Sequence, residues 1–368
     1  MSSILRWMKN RLLFFYDYLL IVSSLFIGDK TIYGVSIFIP IWIAVLLRRK
    51  SITHIEICSQ LILVVSAPIL FRGAFISYDV EYYNYYMQAI GFVNVIGFIF
   101  EFFDKYSKKE IIYYSFLFLL GFSIGTALFN ILNGGRGRFV FGPNVTYRVI
   151  SVFFGFILAC NYDKLQHTLA INKIFILSCF IFFFGMFFTG SRGALVVVIA
   201  YFILIMYLTY RQPKVFLFFL VACSLFIFFI VYNWALFEIF FNRILYFNLD
   251  NNSEGFRISK WEQVYTFYNS DGFYFGLTEE NNIISYYPHN IFLEILFYFG
   301  FFAALTFIIG FVFYCLSFKK MILVNMIMIG IVIGSMVSGN LQYNYMVLSS
   351  LSYSTVFFLN RLGRKIER

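Results

Sequence analysis

Apolar runs of membrane-spanning length recur along the chain, and they constrain its fold more than any other feature. A bilayer core of roughly 30 Å requires about 20 apolar residues per helix. Short polar breaks separate twelve candidate runs, at about 12–27, 31–47, 52–70, 86–103, 111–131, 145–160, 172–188, 193–209, 215–235, 290–313, 321–338 and 343–360. The chain is 61% apolar and 12% charged, which leaves little room for a folded soluble domain. We therefore predict an all-α, polytopic helical membrane protein of about twelve transmembrane helices, forming a single integral membrane domain over residues 1–368.

The distribution of basic residues predicts the orientation of these spans. Segments that stay in the cytoplasm carry an excess of Lys and Arg. With the N-terminus inside, 19 of the 28 Lys and Arg residues fall on the cytoplasmic side, and the alternation holds through every predicted span. The first segment, MSSILRWMKNRLLFFYDYLL, is basic and then apolar without a small-residue cleavage site, so we interpret it as a retained helix. Both termini are expected in the cytoplasm.

The nine other basic residues fall on the outer side, where this bias does not place them. They are Lys30, Arg72, Arg136, Arg138, Arg148, Arg192, Arg243, Arg257 and Lys260. Seven of the nine are arginine, whose planar guanidinium matches the geometry of phosphate and carboxylate groups. This pattern indicates an anionic ligand on the outer face. The alternative is that these side chains reach the phosphates of the outer lipid leaflet.

Several kinds of chemistry have no support in the sequence. The cysteines lie in apolar segments without paired spacing, and we interpret all five as buried free thiols: Cys58, Cys160, Cys179, Cys223 and Cys315. The sequence contains no Cys/His cluster, HExxH motif, Walker motif or dinucleotide glycine pattern, so neither a metal nor another cofactor is expected. The net charge of +10 reflects cytoplasmic loops that face anionic membrane lipids, and it does not indicate nucleic acid.

One predicted connection, residues 236–288, is long. It is polar and aromatic, and it contains the turn signals DNNSEG and NSDG. Apolar side chains recur at helical spacing between Arg257 and Tyr268, which predicts a short interfacial helix. Trp261 suits stacking on carbohydrate, although an aromatic belt at the lipid headgroups is an alternative explanation. Long loops of this kind commonly contribute to function.

His289 is the one histidine on the predicted outer side, and it lies with Asn290 at the mouth of a helix. An imidazole with an ordinary pKa near about 6.5 can accept a proton at neutral pH. A helix cap or an interfacial residue is the alternative role for a histidine at this position. The outer arginines strengthen the catalytic interpretation.

Three segments resemble successive motifs of the O-antigen ligase and polymerase superfamily. They are TGSRGALVVV, FRISKWEQVY followed by GFYFG, and PHNIFLEILFYFG, similar to that family's SRG motif, R-x3-W segment and HN-x-x-LE segment. The earlier GGRGRFVFGPNVTYRV is similar to its G-x-N segment. Together these segments cover about residues 134–300, in the family's order and on one predicted side of the membrane.

The resemblance implies a metal-independent, inverting glycosyltransferase of the bacterial inner membrane, with a GT-C-like fold, a periplasmic active site and one long periplasmic loop. Its substrate would be an undecaprenyl-diphosphate-linked oligosaccharide. Arg192 and Arg257 would hold the diphosphate, and His289 would be the general base. Further substrate-binding candidates are Arg136, Arg138, Asn144, Arg148, Ser191, Trp261, Asn290 and Glu294. Glu294 lies one turn beyond Asn290, and a structural ion pair is the alternative role for it.

Polymerase and ligase differ within the superfamily in the acceptor of the glycan. The polymerase passes the growing chain to a new lipid-linked repeat unit, and the ligase passes it to lipid A core. A bias toward Phe, Tyr, Ile and Asn, typical of AT-rich surface-polysaccharide loci, favours the polymerase by analogy, with a chain-length regulator as a further partner. A flippase of lipid-linked oligosaccharide is the alternative from another class. It should show ionisable residues along a central path. The acidic residues in or near spans are Asp17, Glu56, Glu101 and Glu294.

Overall fold

Within its described residues, the computed structural model contains eleven α-helices and one β-hairpin. The described residues are 3–26, 31–32, 35–70, 80–133, 143–166, 173–209, 290–338 and 345–366, with single positions between 217 and 274. In chain order the elements are α1 (Ser3–Phe26), β1 (Thr31–Ile32), β2 (Val35–Ser36), α2 (Phe38–Arg48), α3 (His54–Leu70), α4 (Val80–Lys105), α5 (Lys108–Leu132), α6 (Pro143–Gln166), α7 (Lys173–Phe188), α8 (Arg192–Thr209), α9 (Ile291–Ser317), α10 (Ile322–Ser338) and α11 (Tyr345–Ile366).

The helices have the apolar character that the sequence predicts. In the part of the chain that the structure describes, four helices are long and apolar enough to cross a membrane, over Tyr86–Lys105, Lys108–Leu132, Asn144–Leu165 and Phe299–Ser317. Shorter apolar helices cover Phe38–Arg48, His54–Ser66, Lys173–Phe188, Gly193–Thr209 and Ile322–Met336. The chain is a polytopic helical membrane protein, and this part of the predicted fold class is confirmed. The predicted span at 215–235 lies largely outside the described residues, so the total of about twelve stays a prediction.

The predicted span at 31–47 is wrong over its first residues. Thr31 pairs with Ser36 and Ile32 with Val35 in an antiparallel hairpin, and α2 begins only at Phe38. The 11 residues of α2 extend about 16 Å at 1.5 Å per residue, roughly half of a bilayer core. Isoleucine, valine and threonine suit both strands and apolar spans, so apolar content alone could not separate the hairpin from a helical turn.

The chain divides into two compact units. Unit 1 consists of Met1–Ser107, Phe256–Val324 and Gly339–Arg368, and unit 2 consists of Lys108–Gly255 and Asn325–Ser338. The prediction that residues 1–368 form a single domain stays a prediction.

In unit 1, one cluster of charged side chains joins α1, α2 and the end of α4. The buried Asp17 carboxylate accepts hydrogen bonds from Arg48 Nε and Lys105 Nζ, each across 2.7 Å. It also accepts from the Tyr106 hydroxyl across 2.6 Å. Burial and the Asp17 carboxylate raise the pKa of Tyr106 above its ordinary value, so the hydroxyl stays protonated and donates.

A second cluster in unit 1 is centred on Arg49, whose side chain is 2% exposed. Its guanidinium donates to both carboxylate oxygens of Glu56 and to Glu101, the latter across 3.0 Å from Nη2. The Asn94 carbonyl oxygen accepts from Arg49, which ties the cluster to the middle of α4. A buried charge is tolerated only where it is paired. Three of the four acidic residues in or near predicted spans therefore contribute to ion pairs that hold helices together.

In unit 2, close contacts between α6, α8 and α10 align the ends of these helices. Along α6 the contact pairs are Tyr147 with Gly334, Ser151 with Gly330 and Gly155 with Met326. The Tyr201 hydroxyl of α8 donates to the backbone carbonyl oxygens of Ser151 (3.1 Å) and Met326 (2.8 Å). Small residues allow helix backbones to approach closely in a membrane. The first residues of α6 and α8 and the last residues of α10 consequently lie at the same end of unit 2.

Candidate functional site

The SRG motif lies in the turn between α7 and α8. Gly190 has a φ of 61°, in the left-handed region that favours glycine, and so confirms its interpretation as a helix-end residue. Thr189 Oγ1 donates to the Met186 carbonyl (2.7 Å) and accepts from the Ser191 amide (3.3 Å). These local bonds end α7, and α8 begins directly afterwards at Arg192.

Two side chains of α6 contact this turn on the two sides of Arg192. On one side, the Ser191 hydroxyl donates to Asn144 Oδ1 across 3.0 Å. On the other side, a Cβ on Gly193 would lie 2.8 Å from the Tyr147 hydroxyl oxygen and 2.9 Å from Cε1 of the ring. Asn144 and Tyr147 are three residues apart on α6 and therefore share one face of that helix.

Tyr147 is a residue at this end of unit 2 to which the sequence analysis assigns no role, although it lies in the segment GGRGRFVFGPNVTYRV. It is fully buried, and its hydroxyl donates to the Gly334 carbonyl across 3.1 Å. A Cβ on Gly334 would lie 2.6 Å from that hydroxyl oxygen. Gly193 is the second residue of α8, which confirms that it lies at a helix end, and its lack of a side chain also allows this close approach. The only signal in the sequence is a glycine one position after the motif arginine, and a single sequence does not reveal which side chain meets it.

Arg148 brings a buried guanidinium to the same end of unit 2. The residue is 6% exposed, and its guanidinium carbon lies 5.8 Å from the centre of the Tyr147 ring, within the range of a cation–π interaction. Arg148 Nε also donates to the Tyr147 hydroxyl across 3.5 Å, which places the guanidinium beside the residue that contacts α8. The structure thus brings together Asn144, Arg148, Ser191 and the beginning of α8.

In unit 1, Asn290 and Glu294 lie at the beginning of α9. Asn290 caps this helix, because its Oδ1 accepts from the amides of Phe292 (2.9 Å) and Leu293 (3.1 Å). Glu294, in the first turn, is buried at 3% exposure. Gly300 interrupts the helix with a φ of 81°, which favours glycine.

The long loop also contacts α9. The Tyr274 ring of the GFYFG segment stacks on Phe302, with ring centroids 6.0 Å apart. This contact brings one point of the predicted long loop back to the helix that carries Asn290.

Several predicted site residues lie outside the described residues: Arg136, Arg138, Arg257, Trp261 and His289. The backbone of Arg192 is described as the first residue of α8, whereas its side chain is not. The roles assigned to these residues stay predictions, as does the interfacial helix near Arg257.

No group of three His, Cys, Asp or Glu side chains that could hold a metal ion occurs among the described residues. Of the five cysteines that we interpret as buried, Cys160 and Cys179 are buried and Cys58 is half-buried, while Cys223 lies outside the described residues. Cys315 is exposed, so that interpretation is wrong for it. An apolar segment in a membrane helix has a lipid-facing side as well as a packed side, and hydropathy does not distinguish the two.

Comparison with protein families gives a match to part of the chain. Residues 177–308 match the family model described as O-antigen ligase. The matched region begins in α7, includes the SRG turn and ends in α9. The match covers Arg192, Arg257 and His289. Neither a curated protein nor a solved structure matches the chain. The match confirms the resemblance drawn from the motifs over part of the chain: residues 177–308 of this membrane protein are similar to the O-antigen ligase family.

Proposed function

We propose that this protein is an O-antigen polymerase, a glycosyltransferase that extends a surface polysaccharide. It transfers a growing glycan from undecaprenyl diphosphate to a new lipid-linked repeat unit at the periplasmic face of the inner membrane. The observation that carries the proposal is the O-antigen ligase family match over residues 177–308. The cluster of Asn144, Arg148 and Ser191 around the first residue of α8 supports it.

The reaction forms a glycosidic bond and releases undecaprenyl diphosphate. The acceptor hydroxyl attacks the anomeric carbon on the face opposite the diphosphate, the bond from that carbon to the diphosphate oxygen breaks, and the hydroxyl proton passes to a base. Negative charge grows on the leaving diphosphate in the transition state. Fixed cations and N–H donors directed at that charge lower the barrier without a metal ion.

Unit 2 offers groups that suit a diphosphate. Arg192 is the first residue of α8, and the dipole of a helix favours an anion at its N-terminus. The guanidinium of Arg148 lies at the same end. Asn144 uses its Oδ1 to accept from Ser191, so Nδ2 is the atom of that amide that donates to a phosphate oxygen.

The resemblance implies the remaining roles, which we adopt. Arg257 is a second contact to the diphosphate, and His289 accepts the proton of the acceptor hydroxyl. A neutral imidazole is a suitable base near neutral pH because its ordinary pKa is about 6.5. His289 directly precedes Asn290, the residue that caps α9.

A ligase is the second candidate, because the matching family model is described as O-antigen ligase. Both enzymes use the same donor, so the acceptor decides between them. The purified protein should be reconstituted in proteoliposomes with undecaprenyl-diphosphate-linked repeat units as the only sugar substrate. A ladder of glycan lengths on undecaprenyl diphosphate is expected. Transfer only after addition of lipid A core would identify a ligase, and no transfer to either acceptor would contradict both candidates.

Two variants test the assigned chemistry in the same assay. Arg192→Lys keeps the positive charge but loses the planar fork, so turnover should fall by roughly tenfold or more at a normal protein level. His289→Gln keeps hydrogen bonding but cannot accept the proton near neutral pH, so turnover should fall by roughly 10²–10⁴-fold. Near-normal chain length and yield in His289→Gln would exclude the base assignment, and Glu294 would be the next residue to test.

A further inference from the structure

We propose that Tyr147, held with Asn144 on one face of α6, is a positioning residue that fixes the SRG turn and thereby the first residue of α8. This inference rests on the proposed function where it assigns Arg192 to the substrate. The position of the turn itself follows from contacts within unit 2. Tyr147 lies in the segment GGRGRFVFGPNVTYRV, but outside the G-x-N pattern for which that segment was identified.

The contacts flank Arg192 on both sides. Ser191, the preceding residue, donates to Asn144 across 3.0 Å. Gly193, the following residue, has no side chain, so the Tyr147 ring meets the backbone of α8 itself. A displacement of the ring therefore displaces the helix start, because no flexible side chain lies between them.

The opposite side of Tyr147 is equally restricted. Its hydroxyl donates to the Gly334 carbonyl across 3.1 Å, and Gly334 also lacks a side chain that could yield. Tyr147 thus occupies a notch between two helix backbones, one from α8 and one from α10. The hydrogen bond from the hydroxyl fixes the position of the ring along the axis of α10. A phenyl ring without the hydroxyl could shift along that axis.

This geometry matters for a transferase because productive geometry tolerates little displacement. A shift of about 1 Å at a reacting group can cost roughly 10²-fold in rate. Tyr147 does not need to touch the substrate to have such an effect. It acts through the backbone position of Arg192.

The test compares two glycine variants with matched contacts. A Cβ on Gly193 would lie 2.8 Å from the Tyr147 hydroxyl oxygen and 2.9 and 3.0 Å from two carbons of its ring. A Cβ on Gly91, in unit 1, would lie 2.7, 3.0 and 3.3 Å from atoms of the Phe38 and Trp42 rings. Each of the two substitutions, Gly193→Ala and Gly91→Ala, therefore adds one methyl group at a similarly short distance from an aromatic side chain. Only Gly193→Ala displaces the SRG turn.

The first readout needs no activity. Ser191 is 8% exposed, so a Ser191→Cys thiol, introduced after the native cysteines are replaced, should react slowly with a small thiol reagent. Adding Gly193→Ala or Tyr147→Leu should raise the labelling rate several-fold, and adding Gly91→Ala should leave it unchanged. Equal rates in all of these backgrounds would overturn the inference.

The second readout is turnover per folded molecule in the reconstituted assay. Tyr147→Leu should lower kcat by roughly tenfold or more with little change in the KM for the acceptor. Combined with Arg192→Lys, it should cause little further loss, because both changes act on the same contact. Multiplied losses in the double variant would overturn the assigned action through Arg192. Wild-type turnover in Arg192→Lys alone would instead contradict the proposed function, and the labelling result would still decide the position of the turn.

Discussion

At the scale of single residues, Asn290 shows how one side chain can satisfy a structural and a functional interpretation. Its Oδ1 accepts from two amides of the first turn of α9, which is the bonding of an N-cap. Asp and Ser can accept the same bonds, whereas Ala cannot, and loss of such a cap costs about 1 kcal/mol.

We therefore predict that Asn290→Asp and Asn290→Ser keep most of the wild-type turnover and stability, while Asn290→Ala loses stability. Thermal unfolding in detergent and turnover in the reconstituted assay would measure the two effects. Loss of turnover in both Asp and Ser variants, at normal stability, would show that the Asn290 amide nitrogen contacts the sugar or His289.

Arg49 is a single residue whose ion pairs are expected to contribute to the stability of the fold. Its removal would leave the fully buried Glu56 carboxylate without its guanidinium, so Arg49→Ala should destabilise the protein by about 3–5 kcal/mol. Lys108→Ala is the matched control, because Lys108 and Asp163 form an ion pair whose side chains are 55% and 62% exposed. That change should cost less than about 1 kcal/mol. Similar melting temperatures for the two variants would contradict the structural role of the Arg49 cluster.

The local sequence indicates some of these residues and not others. Asn290 before an apolar run and Gly190 at a helix end carry chemistry that local rules recognise. Gly193 and Tyr147 do not, because their contact joins residues 46 positions apart in the chain. Pairing between distant segments depends on how helices pack, and a single sequence does not contain that information.

At the scale of helices, glycine marks the places where backbones approach closely. A Cβ on Gly185 of α7 would overlap the Ser123 side chain of α5, whereas a Cβ on Gly121 meets nothing within 4 Å. These two positions therefore test whether glycine is required for packing or only tolerated.

Gly185→Ala should destabilise the protein by about 1–3 kcal/mol through overpacking. Gly121→Ala should be neutral or stabilise the protein by up to about 1 kcal/mol, since alanine is the better helix former. Melting temperature and the monodisperse fraction after extraction would distinguish them. If Gly121→Ala were as harmful as Gly185→Ala, an additional surface would have to cover that side of α5.

At the scale of the whole molecule, the basic residues that predicted orientation also have structural partners. Arg48 and Lys105 were assigned to the cytoplasmic side, and both donate to Asp17 of α1. The count of positive charges therefore includes side chains that hold helices together, and charge alone cannot separate the two roles. Nevertheless, these contacts support one feature of the predicted topology. The end of α2 meets α1 at Asp17, past the middle of α1, so α2 runs back along the second half of α1.

This return matters because α2 covers only about half of a bilayer core, and whether it crosses decides the side of every later segment. Lys9 precedes the apolar part of α1, and Ser51 lies in the exposed connection after α2. Cysteines introduced at these two positions should both resist a membrane-impermeant thiol reagent added from outside. Labelling at Ser51 but not at Lys9 would show that α2, together with the preceding β-hairpin, does not cross the membrane.

The same experiment tests the side on which the proposed site lies. Introduced cysteines at Ser253 and Asn282, in the predicted long loop, should be labelled from outside, whereas cysteines at Lys108 and Gln212 should be labelled only after the membrane is permeabilised. The labelling of each cysteine is measured in intact cells and again in permeabilised cells, so each position serves as its own control. The loop carries Arg257 and precedes His289, so the opposite labelling pattern would place both on the cytoplasmic side. Transfer between periplasmic lipid-linked glycans would then be impossible for this site, whatever the chemistry of its residues.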